Sequence, residues 1–94
     1  LKHVHKGTIE TVYTILNGEY EVIEAEIIET SELINKELNN SNLPDGIRIG
    51  AILRGEDIII PRSNFIFKKE DIVVFLAKRD QLPVVENMFR ISSF

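Results

Sequence analysis

The chain has no cysteine and no tryptophan, only five glycines and three prolines, and 7% aromatic residues. Without cysteine it can form no disulfide, no thiolate nucleophile and no zinc–cysteine site. No apolar run approaches the ~20 residues that a membrane-spanning helix needs. The polar first residues are not typical of a signal peptide. These absences exclude a disulfide scaffold, a thiol enzyme and a helical membrane anchor within this sequence.

What is present has the composition of one small globular domain. Of the 94 residues, 44% are hydrophobic, which is too many for a disordered chain. A net charge of −4 argues against binding to a nucleic-acid polymer, which requires a basic surface. Seven glutamates lie between residues 19 and 37, and we interpret them mainly as a solvated surface. A cation held by Glu24 and Glu26, which share a strand face, is the alternative.

The apolar pattern predicts an α+β fold, with two helices packed on a mostly antiparallel sheet in the order β-β-α-β-β-β-α. The five strands are predicted at residues 8–16, 19–28, 47–54, 58–60 and 72–77, and the helices at residues 31–38 and 80–91. Asn17-Gly18 predicts the turn of the first hairpin. Residues 72–77 are apolar on both faces, which is typical of a central strand.

Residues with catalytic chemistry are few. The serines lie in no nucleophile motif, and the chain has neither GxGxxG nor a Walker loop. His3 and His5 would share a strand face, but no carboxylate neighbours accompany them. The acidic residues of the predicted turns, Asp45, Glu56, Asp57 and Asp71, are interpreted as partners of turn amides. We therefore predict that the domain is not an enzyme and binds no metal.

The most informative stretch is the isoleucine-rich hairpin of residues 43–62. Strict alternation would place Ile47, Ile49, Ala51 and Leu53 on one face of its first strand, and Arg48, Gly50 and Ile52 on the other. A strand that is apolar on both faces needs cover on both. A second copy is one way to provide it, because a two-fold axis matches a patch with itself. A purely intramolecular sandwich is the alternative.

This hairpin and its surroundings resemble the C-terminal domain of the TrkA/RCK type, called RCK-C. The matching segments are Glu24-Ala25-Glu26-Ile27, then Ser31, Leu33, Ile34 and Lys36, then Leu43-Pro44-x-Gly46-Ile47-x-Ile49-Gly50-Ala51-Ile52-x-Arg54-Gly55, then Ile59-Ile60-Pro61-Arg62 and Asp71-x-Val73-Val74-Phe75. The departures from the family pattern are Glu32 for proline, Asn35 for glycine, Lys69-Glu70 for Pro-Gly and Asn64 for aspartate. These departures affect turns and helix starts rather than the fold.

The resemblance implies a regulatory and dimerisation domain of a cytoplasmic subunit that lies against the inner face of the cell membrane. Such a subunit controls potassium transport through a membrane transporter. Residues 1–19 would be the linker and first strand that follow a Rossmann-type RCK domain, and residues 20–94 the RCK-C domain itself. NAD or ATP is expected only in that Rossmann-type domain. An RCK-C module fused to another cation or anion transporter is the alternative.

The resemblance also implies a candidate ligand. Some RCK-C domains bind cyclic di-AMP in a cleft across a dimer axis, and the matching positions here are Ile47, Arg48, Ile49, Ile60, Pro61 and Arg62. For the homodimer interface the candidates are Ile47, Ile49, Ala51 and Ile60. An arginine suits a phosphate because its guanidinium is planar and always charged. The alternative interpretation of Arg48 is a solvated strand residue.

Overall fold

A five-stranded antiparallel sheet with one α-helix on one side forms the fold of residues 9–89, the part of the chain that the computed structural model describes. The strands are β1 (Ile9–Ile15), β2 (Tyr20–Glu26), β3 (Ile47–Arg54), β4 (Asp57–Ile59) and β5 (Ile72–Lys78), and the helix is α1 (Leu82–Phe89). Their order across the sheet is β1-β2-β5-β3-β4. The five predicted strands and the antiparallel sheet are confirmed.

The first hairpin and the central strand lie where the sequence predicts them. The turn between β1 and β2 is closed by Gly18, whose N–H donates to the carbonyl of Ile15 at 3.2 Å. Asn17 and Gly18 take φ angles of 57° and 92°, the left-handed region that these two residue types tolerate. Strand β5 pairs with β2 on one side and β3 on the other, which explains why both of its faces are apolar.

One face of the sheet carries the core. It is built from Ile23 and Ala25 of β2, Ile47 and Ile52 of β3, and Val73, Phe75 and Ala77 of β5. Phe89 of α1 packs its ring 5.3 Å from that of Phe75, measured between centroids. Burying this apolar surface supplies the main favourable term in folding. The core therefore fixes α1 and the connecting loops on one side of the sheet.

The predicted helix at residues 31–38 is wrong. The segment forms turns, followed by a single 3₁₀ turn at Leu38–Asn40. Asn35 has a φ of 62°, which no α-helix contains, and its N–H donates to the carbonyl of Phe67 at 2.8 Å. Contacts with the loop that carries Phe67 thus replace the hydrogen bonds of a helix too short to form alone. Within residues 9–89 there is one α-helix, not two.

Strict alternation along β3 is also wrong. The pairing of β3 with β5 shifts by one residue between Ile49 and Ala51, which leaves Gly50 as the extra residue of a β-bulge. Since side chains alternate with a period of two, the bulge reverses the faces that follow it. Ile52 thereby enters the core. The predicted shared face of Ile47, Ile49, Ala51 and Leu53 is divided, with the first two on the core side and the last two opposite.

The C-terminal helix is shorter than predicted within the described residues. A 3₁₀ turn at Arg79–Gln81 precedes α1, which begins at Leu82. Val85, Met88 and Phe89 are buried as predicted, whereas Val84 of the predicted stripe is exposed. In the described part of the chain no helix is long and apolar enough to cross a membrane. His3 and His5 lie outside the described residues.

Candidate functional site

The face of the sheet opposite α1, called the open face below, is apolar but only partly shielded from solvent. The pairing register places on it Tyr13 and Ile15 of β1, Tyr20 and Val22 of β2, Ala51 and Leu53 of β3, Ile58 of β4, and Ile72, Val74 and Leu76 of β5. Tyr13 is 65% exposed and Ile58 is 73% exposed. A contiguous apolar surface drawn from all five strands is typical of an interaction surface.

Sequence alternation missed most of this surface. Of the predicted interface residues, Ile47 is 5% exposed in the core and Ile49 packs against the core. Ala51 lies on the open face, and Ile60 is exposed just after β4. These four residues therefore do not form one surface. The available signal was the apolar character of both faces of residues 72–77, which requires a second layer over the sheet.

Arg48 lines two clefts beside the start of β3. The larger cleft has a volume of about 810 Å³ and is lined by Ile15, Leu16, Tyr20, Asp45, Gly46, Arg48, Leu76, Lys78 and Gln81. The smaller has a volume of about 340 Å³ and is lined by Leu38, Leu43, Pro44, Asp45, Ile47, Arg48, Ile49 and Pro61. The side chain of Arg48 is exposed and forms no ion pair within residues 9–89. The guanidinium is therefore available to an anion in either cleft.

The smaller cleft brings together four of the six predicted ligand-binding residues. Ile47, Arg48, Ile49 and Pro61 line it, while Ile60 and Arg62 are exposed and line neither cleft. Because the N–H of Ile47 donates to the carbonyl of Pro44 at 3.1 Å, the wall of the cleft is held next to β3. The arrangement combines apolar walls with one cationic group, Arg48, and one anionic group, Asp45. This combination fits a ligand that has both an apolar ring and an anionic group.

A second arginine of the signature has a structural role. Arg54 Nε and Nη2 donate to Asp71 Oδ1 and Oδ2 at 2.8 and 2.7 Å, and the Asp71 side chain is 1% exposed. The N–H of Lys68 also donates to Asp71 Oδ2 at 2.8 Å, which confirms the predicted role of Asp71 as a partner of a turn amide. The hydrogen bond to Asp71 is the main cause that raises the pKa of Arg54 above its ordinary value. This pair ties the loop before β5 to the end of β3.

The glutamates of the acidic stretch do not gather into a cluster of three or more in the described residues. Within residues 9–89 no group of three or more histidine, aspartate or glutamate side chains is placed to hold a metal ion. Glu21 lies on the core side of β2, where its carboxylate accepts a hydrogen bond from Thr11 Oγ1 at 2.6 Å and lies 3.6 Å from Arg79 Nε. The glutamates of this stretch are therefore divided between the two faces of the sheet.

Comparison with known proteins places the chain in a family. The TrkA-C domain matches residues 22–90. The Trk system potassium uptake protein TrkA of Azorhizobium caulinodans is 39% identical over 92 residues, covering 98% of this chain and 20% of that protein. The protein of the same name from Haemophilus influenzae is 38% identical over 98 residues, covering 100% of this chain and 21% of that protein. The chain therefore spans about a fifth of the length of these relatives.

The fold gives an independent comparison. A solved structure described as "Structure of RCK domain with cda" superposes with a TM-score of 0.55 and 18% sequence identity, covering 71% of this chain and 97% of that one. At this identity the likeness concerns the fold alone. The match to the family extends over most of the sequence, and the resemblance carried by the hairpin signature is confirmed. The chain belongs to the TrkA-C domain family.

Proposed function

We propose that this chain is the regulatory domain of a Trk-type subunit that controls potassium uptake through a membrane transporter. Similarity to TrkA proteins along the whole chain, at 39% and 38% identity, carries this proposal. The subunit is cytoplasmic and works at the inner face of the membrane. Its NAD or ATP belongs to a separate Rossmann-type RCK domain. The TrkA-C domain itself catalyses no reaction.

The domain acts as a homodimer that transmits the state of a ligand. The apolar open face supports this role, because a second copy would remove from water a surface that residues 9–89 leave partly exposed. A dimer with two arrangements responds to any ligand that binds one arrangement more tightly than the other. Regulation then needs only a difference in affinity between the two arrangements.

A domain exchange tests the regulatory proposal. The homologous segment of the Haemophilus influenzae TrkA protein is replaced by this chain, and growth at limiting potassium and rubidium uptake are measured in cells that lack TrkA. The exchanged protein should restore both. A matched variant with Val73→Asp, which places a charge at a buried core position, should restore neither. Full accumulation of the exchanged protein without any restored uptake would contradict the proposal.

The cleft beside Arg48 supports a second candidate role, a sensor of cyclic di-AMP. Ile47, Ile49 and Pro61 offer apolar contacts for a base, and the unpaired guanidinium of Arg48 offers two parallel hydrogen bonds to a phosphate. The described RCK domain with cda has the same fold. NAD and ATP are less suited to this cleft, because the pyrophosphate of NAD or the triphosphate of ATP would contact only one arginine there.

Calorimetry tests the sensor role directly. Titration of the 94-residue chain with cyclic di-AMP should give saturable heat, and Arg48→Ala should weaken binding at least about tenfold, because hydrogen bonds to charged groups contribute about 1.5–3 kcal/mol. Lys36→Ala is the matched control, since Lys36 is exposed and lines neither cleft, and this variant should bind as the wild type does. Folded protein that gives no heat at several hundred micromolar ligand would remove this role.

A further inference from the structure

The larger cleft gathers polar side chains that have no partner within residues 9–89. Its polar and charged lining residues are Tyr20, Asp45, Arg48, Lys78 and Gln81. In the described part of the chain none of these side chains forms a hydrogen bond or an ion pair. The cleft therefore presents charged and hydrogen-bonding groups that the described fold does not use.

Strand pairing brings the two cations of the cleft together. Arg48 lies directly opposite Leu76 of β5, and Lys78 follows Leu76 by two residues, so both side chains leave the same face of the sheet. With strands about 4.8 Å apart and a rise of about 3.3 Å per residue, the Cα atoms of Arg48 and Lys78 are roughly 8 Å apart. Two long cationic side chains at this separation can both reach one anion.

Acidic residues near the cleft do not pair with these cations. Asp45 is the one carboxylate that lines the larger cleft, so two cations face a single anion there. Glu19 and Asp80 line a neighbouring cleft beside Lys78, and neither forms an ion pair with it. The carboxylates of the open face lie further along the strands and line neither cleft; they are Glu10, Glu24 and Glu26. The larger cleft therefore has an excess of positive charge.

Gly46 determines how two of the polar side chains are placed. The N–H of Lys78 donates to the carbonyl of Gly46 at 2.9 Å, which holds β5 beside the residue that precedes β3. A Cβ atom at residue 46 would lie 3.0 Å from Gln81 Cγ and 3.1 Å from Lys78 Cδ. The stems of Lys78 and Gln81 thus pass close over a residue that has no side chain. A larger residue at this position would displace both of them.

The rest of the lining is apolar, and the cleft has the size of a small-molecule site. Ile15, Leu16 and Leu76 lie beside the ring of Tyr20. The volume of about 810 Å³ lies within the roughly 300–1,000 Å³ that is typical of ligand sites. An inorganic anion would leave the apolar lining in contact with water, and Arg48 and Lys78 would repel a metal cation. The cleft therefore suits an anion that carries an apolar body.

We infer that the larger cleft binds a small organic anion, with its carboxylate or phosphate between Arg48 and Lys78 and an apolar ring against Tyr20 and Leu76. Arg48 donates two parallel hydrogen bonds, and Lys78 adds a compact positive charge. Asp45 and Gln81 can accept hydrogen bonds from hydroxyl or amino groups of the ligand. The inference goes beyond the proposed regulatory role and depends neither on a homodimer nor on cyclic di-AMP.

Three ligands that share one ring system test the two parts of this recognition. The 94-residue chain is titrated calorimetrically with 1-naphthyl phosphate, 1-naphthoate and neutral 1-naphthol, and with inorganic phosphate. Both ring anions should give saturable heat. Naphthol and inorganic phosphate should each bind at least about tenfold more weakly, because one lacks the charge and the other lacks the apolar body. The tighter of the two ring anions identifies whether the cleft prefers a phosphate or a carboxylate.

Variants distinguish the larger cleft from the smaller one, which shares Arg48 and Asp45 with it but is not lined by Gly46 or Lys78. Lys78→Ala should weaken binding of 1-naphthyl phosphate at least about fivefold, because it removes one of two charged contacts. Gly46→Ala changes no charge and should also weaken binding, by displacing Lys78 and Gln81. Lys36→Ala removes an exposed lysine that lines neither cleft and should bind as the wild type does.

Three results would overturn the inference. The first is folded wild-type protein that gives no saturable heat with either ring anion at several hundred micromolar. The second is binding of 1-naphthol as tight as that of the ring anions. The third is wild-type affinity in the Lys78→Ala variant, which would place the ring anion outside the larger cleft. The domain exchange and the cyclic di-AMP titration use neither Lys78 nor Gly46 variants, so their outcomes remain separate.

Discussion

The hairpin signature contains two arginines on strand β3. Arg48 and Arg54 are six positions apart on the same strand and have different environments. Arg54 is held by both oxygens of the buried Asp71 and lies 5.0 Å from the ring centroid of Phe65. Arg48 has no ion pair within residues 9–89 and lines both clefts. The sequence pattern alone does not separate these roles, because the partner of Arg54 lies 17 residues further along the chain.

Removing the partner of Asp71 should destabilise the domain. Arg54→Ala leaves a buried carboxylate with the N–H of Lys68 as its remaining partner, and we expect the free energy of unfolding to fall by about 2–3 kcal/mol. Arg54→Lys should recover only part of this loss, because lysine cannot form the two parallel hydrogen bonds. Urea denaturation measures the change. An effect of Arg54→Ala as small as that of Arg62→Ala, an exposed control, would contradict the assignment.

The same pair has a defined pH dependence. The pKa of Arg54 is raised by its hydrogen bond to Asp71, so the charged form is favoured in the folded state. For a raised pKa the stabilisation is fully present below the ordinary value and is lost only as the pH rises through the folded value. The ordinary pKa of arginine already lies far above pH 9. We therefore expect the loss of stability caused by Arg54→Ala to be the same at pH 6 and pH 9.

At the scale of elements, the strands could be predicted from sequence, and the irregular parts could not. The residues of β5 are apolar on both faces, and Asn17-Gly18 marks the first turn, so these elements follow from local pattern. The bulge at Gly50 arises from the pairing of β3 with β5. Alternation within a single strand does not reveal such a bulge. The segment before Leu38 depends on contacts with the loop at Phe67. Both errors therefore arise from long-range contacts that override local preference.

Ser31 shows how tertiary contacts stabilise a segment that has no helix. Its Oγ donates to the carbonyl of Met88 at 2.6 Å and accepts from the N–H of Leu33 at 3.1 Å. Ser31→Ala would remove the hydrogen-bond partner of the Met88 carbonyl and of the Leu33 N–H. We expect this loss to lower the free energy of unfolding by about 1–3 kcal/mol. Ser63→Ala, at an exposed position, is the control. Equal effects of the two substitutions in urea denaturation would be inconsistent with the proposed contact.

Across the whole molecule, the candidate site was only partly predictable. The family and the apolar excess followed from sequence, and four of the six predicted ligand-binding residues, Ile47, Arg48, Ile49 and Pro61, line one cleft. That a ligand binds in this cleft stays a prediction. The open face did not follow from sequence, because it combines side chains from strands that become neighbours only in the folded sheet. In our account one face of the sheet builds the domain core, and the other joins two copies.

Sedimentation equilibrium of the 94-residue chain, compared with its Val74→Lys variant, tests this account most directly. Val74 lies on the central strand of the open face, and a lysine there would bury an unpaired charge in the dimer while remaining hydrated in the monomer. At tens of micromolar the wild type should have twice the 10.8 kDa mass of one chain. The variant should have the single mass with an unchanged circular dichroism spectrum. A wild-type mass of 10.8 kDa under these conditions would contradict the account.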